Sequence, residues 1–540
     1  MPQKLGTSRD QMQFFCLEEV IGQDHPVRVI DAFVSTLDIA ALGFTLKGKS
    51  SEGRPAYDAA MLLKLYIYGY QHSIRSSRKL QAACCHNVEL WWLLDQQRPR
   101  YKTIADFRKI HGTALQQVFK QFVVLCRQWS LVAGQTIAID GSKFRAQNSR
   151  KNNYSDKKIA RHLAYIDEKI TSYLQAIDQA DQQENKEAAQ AADTQQVLQQ
   201  LHQRRQEYEV LQQRLDQAKQ EGQQQLSVTD PDARALPVHH GVVEIGYNVQ
   251  SAVDSKHNLI VHAQVTNQLD TYALSEVAIA AKEILEVDNI DVLADKGYHT
   301  GSELKKCADE QIITYVAPLA SSQSNRKDPA FRKDKFVYHQ QSDTYSCPAG
   351  VPLTTNGSWY QKRKNAKSGQ SYRFKHYLAP LAACAACQFL SKCTTVTNYH
   401  GRYIERTEYD EHIEANRQRV QTNKEYYRQR QQIVEHPFGT IKRSWGYTYT
   451  LLKTKPKVSG EFALIFTCYN LKRVINIIGV KEMVRRLKGL ADFLWALTSQ
   501  ILVQIEDAFF PGIKSLYSNF TKHREASRLS FCTVCRHAQA

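Results

Sequence analysis

Apolar residues recur at three- and four-residue spacing through the first 130 positions, most clearly in "AYDAAMLLKLYIYGY" (56–70) and "KLQAACCHNVELWWLL" (79–94). That spacing puts them on one helical face, so residues 1–130 are expected to form an all-α N-terminal domain. Residues 151–235 change character. They are rich in Gln, Ala and charge, with almost no Gly or Pro until the end, which predicts a long helix or helical hairpin. Leu198, Leu201, Tyr208, Leu211 and Leu215 make a sparse stripe along it, too thin to specify a coiled-coil dimer. The segment suits an insertion or spacer.

From 243 the period falls to two. "VEIGYNVQSAVD" and "LIVHAQVTN" flank the polar "SKHN" and read as a β-hairpin. "YALSEVAIAAKEILEV" reads as a helix, "NIDVLADKG" as a short strand, "SELKKCADEQ" as a helix and "IITYVAPLA" as a strand. With "TIAIDGSKFRA" (136–146) as the first strand, the order is strand, insertion, strand, strand, helix, strand, helix, strand. That suits a mixed α/β sheet with helices packed on it. Residues 320–405 are polar, irregular and Cys-bearing. "NKEYYRQRQQIVEHPFGTIKRSWG" and "GEFALIFTCYNLKRVINIIG" return to helix. The tail from about 484 reads as helix and then a basic end.

Charge narrows the field. The 540 residues hold 71 Lys plus Arg against 54 Asp plus Glu, a formal net charge of +17. An excess of that size favours a polyanionic partner, nucleic acid before an anionic membrane. The start lacks the continuous apolar core of a signal peptide. The apolar run at 490–510 is broken by Gln504, Glu506 and Asp507, so it reads as an amphipathic helix rather than a span. Arg75, Arg78, Lys79, Arg98, Arg100, Lys102, Arg108 and Lys109 lie between and after the N-terminal helices. They make either the solvated face of a helical bundle or a helix-turn-helix-like DNA-binding surface.

Asp140 and Asp295 share a grammar. Each closes a short apolar run ("IAID", "VLAD") and is followed by a turn residue and a cation ("GSK", "KGY"). A carboxylate at a strand end stands at the sheet rim, and two on neighbouring strands can hold Mg²⁺, which prefers oxygen ligands. Taken singly, each is better read as a turn Asp ending a strand, since Asp is common in turns. Glu435 is the third acid. Arg428, Glu435 and Lys442 fall at intervals of seven, one face of an unbroken helix, which is either a metal-and-phosphate face or a surface ion-pair ladder. Pro437 predicts a kink or restarted turn just after Glu435.

Together "AIDGSKFRA", "LADKGY" and "VEHPFGTIKRSWGY" resemble the blocks of bacterial insertion-sequence transposases of the DDE class, and most nearly the insertion sequence eleven-eighty-two family. "DPDARALPVHHGVVEIGYNVQSAVD", "GRPAYDAAMLLKLYIYGY" and "YKTIADFR" resemble further blocks, so the likeness runs from about residue 50 to 480. The resemblance implies a ribonuclease-H-like α/β domain, preceded by the all-α domain and interrupted by two insertions. Its parts would be 131–150, 236–319 and 406–480, with insertions at 151–235 and 320–405 and a helical basic tail at 481–540.

It implies Asp140, Asp295 and Glu435 as a catalytic triad holding two Mg²⁺ ions, with Mn²⁺ as a substitute. Lys143, Arg145, Lys296, Arg428, Lys442 and Arg443 would contact DNA. Relatives place Tyr, Arg, Glu and Lys at spacings of two, three and six; here Lys442 fits, but Arg428 and Gln431 hold the Tyr and Arg positions, with Arg430 an alternative cation. Two metals about 3.5–4 Å apart serve an in-line attack on a phosphodiester, so water would free a 3′-hydroxyl that then attacks target DNA. Tyr298 and Trp445 would stack on an unpaired base or pack in the core. The implied partners are the double-stranded element ends and target DNA, with a homodimer on DNA and no membrane. The implied setting is cytoplasmic and nucleoid-associated. Rival readings are a nuclease of the same fold that never joins strands, and a DNA-binding derivative that has lost catalysis.

Of the twelve cysteines, Cys384, Cys387 and Cys393 give C-x2-C-x5-C, and Cys347 lies upstream in "YSCPAG". Four thiolates would close a tetrahedral structural Zn²⁺ site; structural thiols without metal are the alternative. The "CTVC" of Cys532 and Cys535 has no second pair.

Overall fold

The computed structural model describes residues 10–492, apart from position 13 and segments 46–55, 182–187, 221, 239–241, 319–327, 364–370 and 395–400. The "GRP" helix start, most of the tail and the "CTVC" pair lie outside the described residues. The chain divides into two units: Met1–Gly69, Ile74–Ile104 and Val474–Ala540 form one, and Tyr70–Ser73 with Ala105–Arg473 the other.

The first unit is helical. It contains α1 (Leu17–Val20), α2 (Val27–Ser35), most of α3 (Ala59–Gln71), α4 (Ser77–His86) and α5 (Val88–Leu93). The apolar spacing becomes a core of Phe33, Leu63, Ile67 and Leu80, each with no exposed surface. Asn87 separates α4 from α5 and caps α5, accepting from the N–H groups of Glu89 (2.8 Å) and Leu90 (3.2 Å). Arg75 is buried, whereas Arg78, Lys79, Arg98, Arg100 and Lys102 are exposed.

α6 (Tyr101–Ile110) begins in the first unit and passes at Ala105 into the second, where α7 (Gly112–Gln128) and β1 (Thr136–Arg145) follow. Arg108 is buried here, donating to the Tyr70 hydroxyl at 2.7 Å, so its charge is spent inside. After β1 the chain leaves as a helical hairpin, α8 (Asp156–Asp181) and α9 (Ala188–Gln220), whose neck is the paired β2 (Asn153–Tyr154) and β3 (Leu226–Ser227). The sparse stripe finds its partner in the same chain. Tyr208 and Leu215 bury against Ile159, Ile166 and Ile170, with Leu198, Leu201 and Leu211 packed beside them. A two-helix hairpin needs only that narrow seam, which is why so few apolar residues suffice.

The chain re-enters as β4 (Arg234–Pro237), β5 (Val243–Asp254) and β6 (Ile260–Thr266), then α10 (Leu274–Leu285), β7 (Ile290–Ala294), α11 (Gly301–Asp309) and β8 (Ile312–Val316). The sheet runs β4-β5-β1-β7-β8, with β6 also on β5. β5 is antiparallel to β1, β4 and β6, whereas β1–β7 and β7–β8 are parallel. The mixed sheet with packed helices is the expected class.

Residues 320–405 are more regular than their composition suggests. They hold two three-stranded sheets: β9 (Val337–His339), β10 (Thr344–Ser346) and β11 (Pro352–Leu353), then β12 (Tyr360–Arg363), β13 (Ser371–Leu378) and β14 (Tyr403–Thr407). Short α12 (Leu381–Ala385) and α13 (Leu390–Cys393) lie between β13 and β14. All but β13 have two to five residues, too little alternation to stand out among polar neighbours. One core joins the two sheets, built of Phe336, Tyr345, Leu353, Tyr377 and Ile404.

α14 (Asp410–Thr422), α15 (Lys424–Gly439) and α16 (Lys455–Ile478) follow. The kink expected after Glu435 is absent, and α15 continues through Pro437. Pro437 and Phe438 are both buried, and Phe438 lies 6.3 Å from the Phe144 ring, so packing holds the turn that local preference opposes. The departure from α geometry comes later, as a π-turn at Thr440–Ser444. Among the described residues no single helix is long and apolar enough to cross a membrane.

Candidate active site

β1 and β7 run side by side, with Ile137 opposite Val292, Ala138 opposite Leu293 and Ile139 opposite Ala294. The next residue on each is a carboxylate, Asp140 and Asp295. Parallel strands advance together, ~4.8 Å apart, so the two acids reach one level at neighbouring positions. Asp295 closes its strand as expected, accepting from the Lys296 N–H at the head of a 3₁₀ turn. Asp140 does not. β1 continues to Arg145, paired with β5 throughout, and Asp140 faces Ser251. The sheet loses only its parallel partner there, opening a notch beside β1.

Burial pushes the Asp140 carboxyl up to about 6. Arg430 and the Gly141 N–H, which donates at 3.0 Å, oppose that shift, while Asp270 and Asp295 add to it. Three carboxylates and one guanidinium therefore act on one another at the notch.

Asp270 was invisible to the sequence reading. It sits in the turn before α10, and its Oδ1 accepts from Asn248 Nδ2 (2.7 Å) and Gln250 Nε2 (2.8 Å). Gln250 in turn accepts from the Tyr298 hydroxyl. The glycine after Asp140 is required by this arrangement. A Cβ at Gly141 would lie 2.3 Å from Asp270 Oδ1 and 2.4 Å from Gln250 Nε2. A signal did exist. Asn248, Gln250 and Ser251 are polar, fully buried residues in a central strand, where an unpaired polar group is costly.

The cations divide. Lys143 stands 3.6 Å from Asp270. Lys442 Nζ donates to the Lys143 carbonyl at 2.7 Å and lies 4.3 Å from the Phe144 ring centre. Burial, then Lys143, pushes Lys442 down to about 8. Arg145, Lys296 and Arg443 are exposed. Arg145 edges an open polar groove of about 340 Å³, with Gln147, Asn148, Ser149, Asn152 and Thr229. Arg428 is exposed and pairs with Glu425 at 2.5 Å, the surface-ladder arrangement.

α15 packs on β1 and turns Arg430 toward Asp140. Glu435 is five residues on, roughly 140° round the helix. It is exposed and accepts from Gln431 Nε2 at 2.8 Å. The structure thus brings Asp140 and Asp295 together and keeps Glu435 on the neighbouring helix, its carboxylate in solvent. Tyr298 and Trp445 are buried, at 1% and 7% exposure, the packing alternative. Asp254, also buried, accepts from the N–H groups of Ala133, Gly134 and Lys256 and is structural.

Cys347, Cys384, Cys387 and Cys393 line one cavity of about 20 Å³. The Val351 N–H donates to Cys347 Sγ (3.3 Å) and the Arg402 N–H to Cys384 Sγ (3.4 Å). The described cysteines are thiols. Among the described residues no three His, Cys, Asp or Glu side chains close into a metal-binding cluster.

The mixed α/β unit thus carries two acids level with each other where the parallel pairing of β1 with β7 ends. Two segments carry transposase domains: residues 15–110 match the family described as Transposase domain (DUF772), and residues 346–475 the family described as Transposase DDE domain. A comparison with curated proteins gave no match. Among solved structures, the piggyBac transposase synaptic complex with hairpin DNA is similar at 9% identity and a TM-score of 0.34, over 92% of this chain and 84% of that chain. That likeness is too loose to carry an argument.

Proposed function

We propose that this chain is a DNA transposase of the DDE class, with a ribonuclease-H-like catalytic unit that cleaves the ends of an insertion sequence and joins them to target DNA. The observation that carries the reading is the level pairing of Asp140 and Asp295 on β1 and β7. The transposase domains at 15–110 and 346–475 support it, as does α15 laid on β1. Kinship to the insertion sequence eleven-eighty-two family belongs to the same proposal.

The donor set fits a hard divalent cation. Mg²⁺ needs only one or two carboxylates besides water and phosphate oxygens, and acids gathered in a buried notch favour a cation. Asp140 and Asp295 would hold Mg²⁺, and Glu435, exposed on α15, would join them when DNA is bound. When bound, the metal supplies charge stabilisation for in-line displacement at phosphorus.

The chain's own residues do the rest. Asp140 and Asp295, carried on a rigid sheet, would hold the cation at a fixed place beside the reacting phosphate. Asn248 and Gln250 hold Asp270 still, and Asp270 in turn keeps Lys143 beside the notch. Lys143, Arg145, Lys296, Lys442 and Arg443 neutralise phosphates along the strand, and Arg430 balances Asp140 in the DNA-free protein. The exposed Arg78, Lys79, Arg98, Arg100 and Lys102 would read the element ends. Joining two ends requires at least two copies of the chain on DNA.

A structural Zn²⁺ belongs to the same reading. Cys347, Cys384, Cys387 and Cys393, which line one small cavity, would hold it. The direct test is cleavage of duplex ends by wild type and by Asp140→Asn or Asp295→Asn. Wild-type cleavage lost in both variants supports the proposal, and retained cleavage refutes it.

A further inference from the structure

β12, β13 and β14 form an antiparallel sheet with Tyr360 opposite Phe374, Lys362 opposite Tyr372 and His376 opposite Glu405. Side chains alternate across a strand, so Tyr372, Phe374 and His376 share one face. The rings confirm it. Phe374 lies 5.9 Å from Tyr360, 6.3 Å from Tyr372 and 5.0 Å from His376, and His376 lies 5.8 Å from Tyr403. The aromatic row thus crosses all three strands.

The opposite face is already used. Tyr377 and Ile404 enter the insertion's core there, and Arg373 and Lys375 cover Trp359. The ends of the aromatic row reach solvent, with Tyr360 41% and Tyr403 43% exposed; Tyr372 and His376 are half-buried, and Phe374 between them is 7% exposed.

We propose that this face is a platform for the bases of unpaired DNA. It has the two parts that such binding needs: rings for base stacking and cations for the backbone. Lys362, half exposed, supplies the cation of this face and lies 5.8 Å from the Phe374 ring centre. Glu405 is the carboxylate on this face among the described residues, and Lys362 (3.4 Å) and His376 (3.8 Å) both stand against it. An apolar protein partner would call for aliphatic side chains; these positions carry tyrosines, a histidine and a lysine, in a chain of net charge +17.

The platform is tied to the catalytic unit. β14 leads into α14, where Asp410 accepts from the Thr407 N–H and from Lys333 Nζ, and Glu414 pairs with Arg406 at 2.6 Å. α14 packs on β8 and α11. Residues 346–475, the matched transposase DDE segment, hold both the platform and α15. The inference rests on the DNA-acting reading above, since the terminal bases of a broken strand can leave the duplex and be held by such a surface.

The test uses the full chain and fluorescence anisotropy with a labelled 20-nucleotide oligo(dT) and a 20-base-pair duplex. The variants are Tyr360→Ala/Tyr403→Ala and, as the ring-preserving control, Tyr360→Phe/Tyr403→Phe. The alanine pair should weaken oligo(dT) binding by about tenfold or more. The phenylalanine pair should stay within about twofold, and duplex binding within about threefold for both. The inference is overturned if wild type does not bind oligo(dT), or if the alanine pair binds it like wild type. It is also overturned if the DNA-free alanine pair sediments as a smaller species, because the face then joins copies of the chain. Cleavage of duplex ends by wild type is scored separately, so a failed platform leaves the proposed function standing on its own result.

Discussion

Asp140 and Asp295 stand one residue beyond the last rung, Ile139 opposite Ala294, that joins β1 to β7. Neither residue touches the other in sequence, and 154 positions separate them. The parallel register alone brings them level, before any side chain is considered.

Charge removal at that pair should abolish cleavage. Asp140→Asn and Asp295→Asn keep shape and lose the negative charge that a divalent cation needs; cleavage should fall by at least about a thousandfold, given the scale of metal and electrostatic contributions. Glu435→Gln should do the same if the helix acid joins the set on DNA. Glu425→Gln, at an exposed ion pair with Arg428, should cleave normally. Gel assays on labelled element ends check this, and normal cleavage by Glu435→Gln would remove Glu435 from the site.

Asp140 should also leave a mark on stability. Burial raises its folded pKa from 3.8 to about 6, so the folded state binds its proton more tightly than the unfolded chain. The favourable contribution is complete below pH 3.8 and is lost as pH rises through 6. Asp140→Asn should therefore stabilise the metal-free protein by about 1–3 kcal/mol at pH 7.5, and by roughly half as much at pH 5. Urea unfolding at the two pH values measures it, and an equal gain at both would contradict the burial of that charge.

The two arginines of α15 should separate. Arg430 acts on Asp140, while Arg428 pairs with Glu425 in solvent. Arg430→Ala should raise the Asp140 pKa further, visible by carboxyl NMR in the metal-free protein, and Arg428→Ala should leave it in place. Equal shifts would show that Arg430 does not face the notch.

For the cysteines the expectation is about one zinc per chain. Metal analysis of tag-free protein should find it, and Cys384→Ser should lose both the metal and thermal stability. No zinc, with the four thiols reacting at once with a thiol reagent in the folded protein, would favour metal-free structural thiols.

Much of the fold was legible because long elements carry their own period. The α8–α9 hairpin, the β5–β6 hairpin and the alternation from α10 to β8 could all be read from spacing. The small sheets from β9 to β14 could not, since most of their strands have two to five residues and the eight-residue β13 mixes aromatic and basic side chains on both faces. Pro437 misled because buried Phe438 outweighs local preference. The acids were legible as types, and Asp295 as a strand end; Asp140 was not, because β1 runs on past it to Arg145. Asp270, Asn248 and Gln250 were not, because their meeting depends on the β1–β5 register and on a turn that folds back over it. The same dependence on helix phase hid the fact that Arg430, rather than Arg428, faces Asp140.

The measurement that bears most directly on the central claim is strand transfer by the full chain, with pre-cleaved element ends, plasmid target and Mg²⁺. Wild type should join the ends to the plasmid, and Asp140→Asn and Asp295→Asn should bind the same ends yet join none, because cleavage and joining draw on one carboxylate pair. Joining by either variant at the wild-type rate would contradict the account.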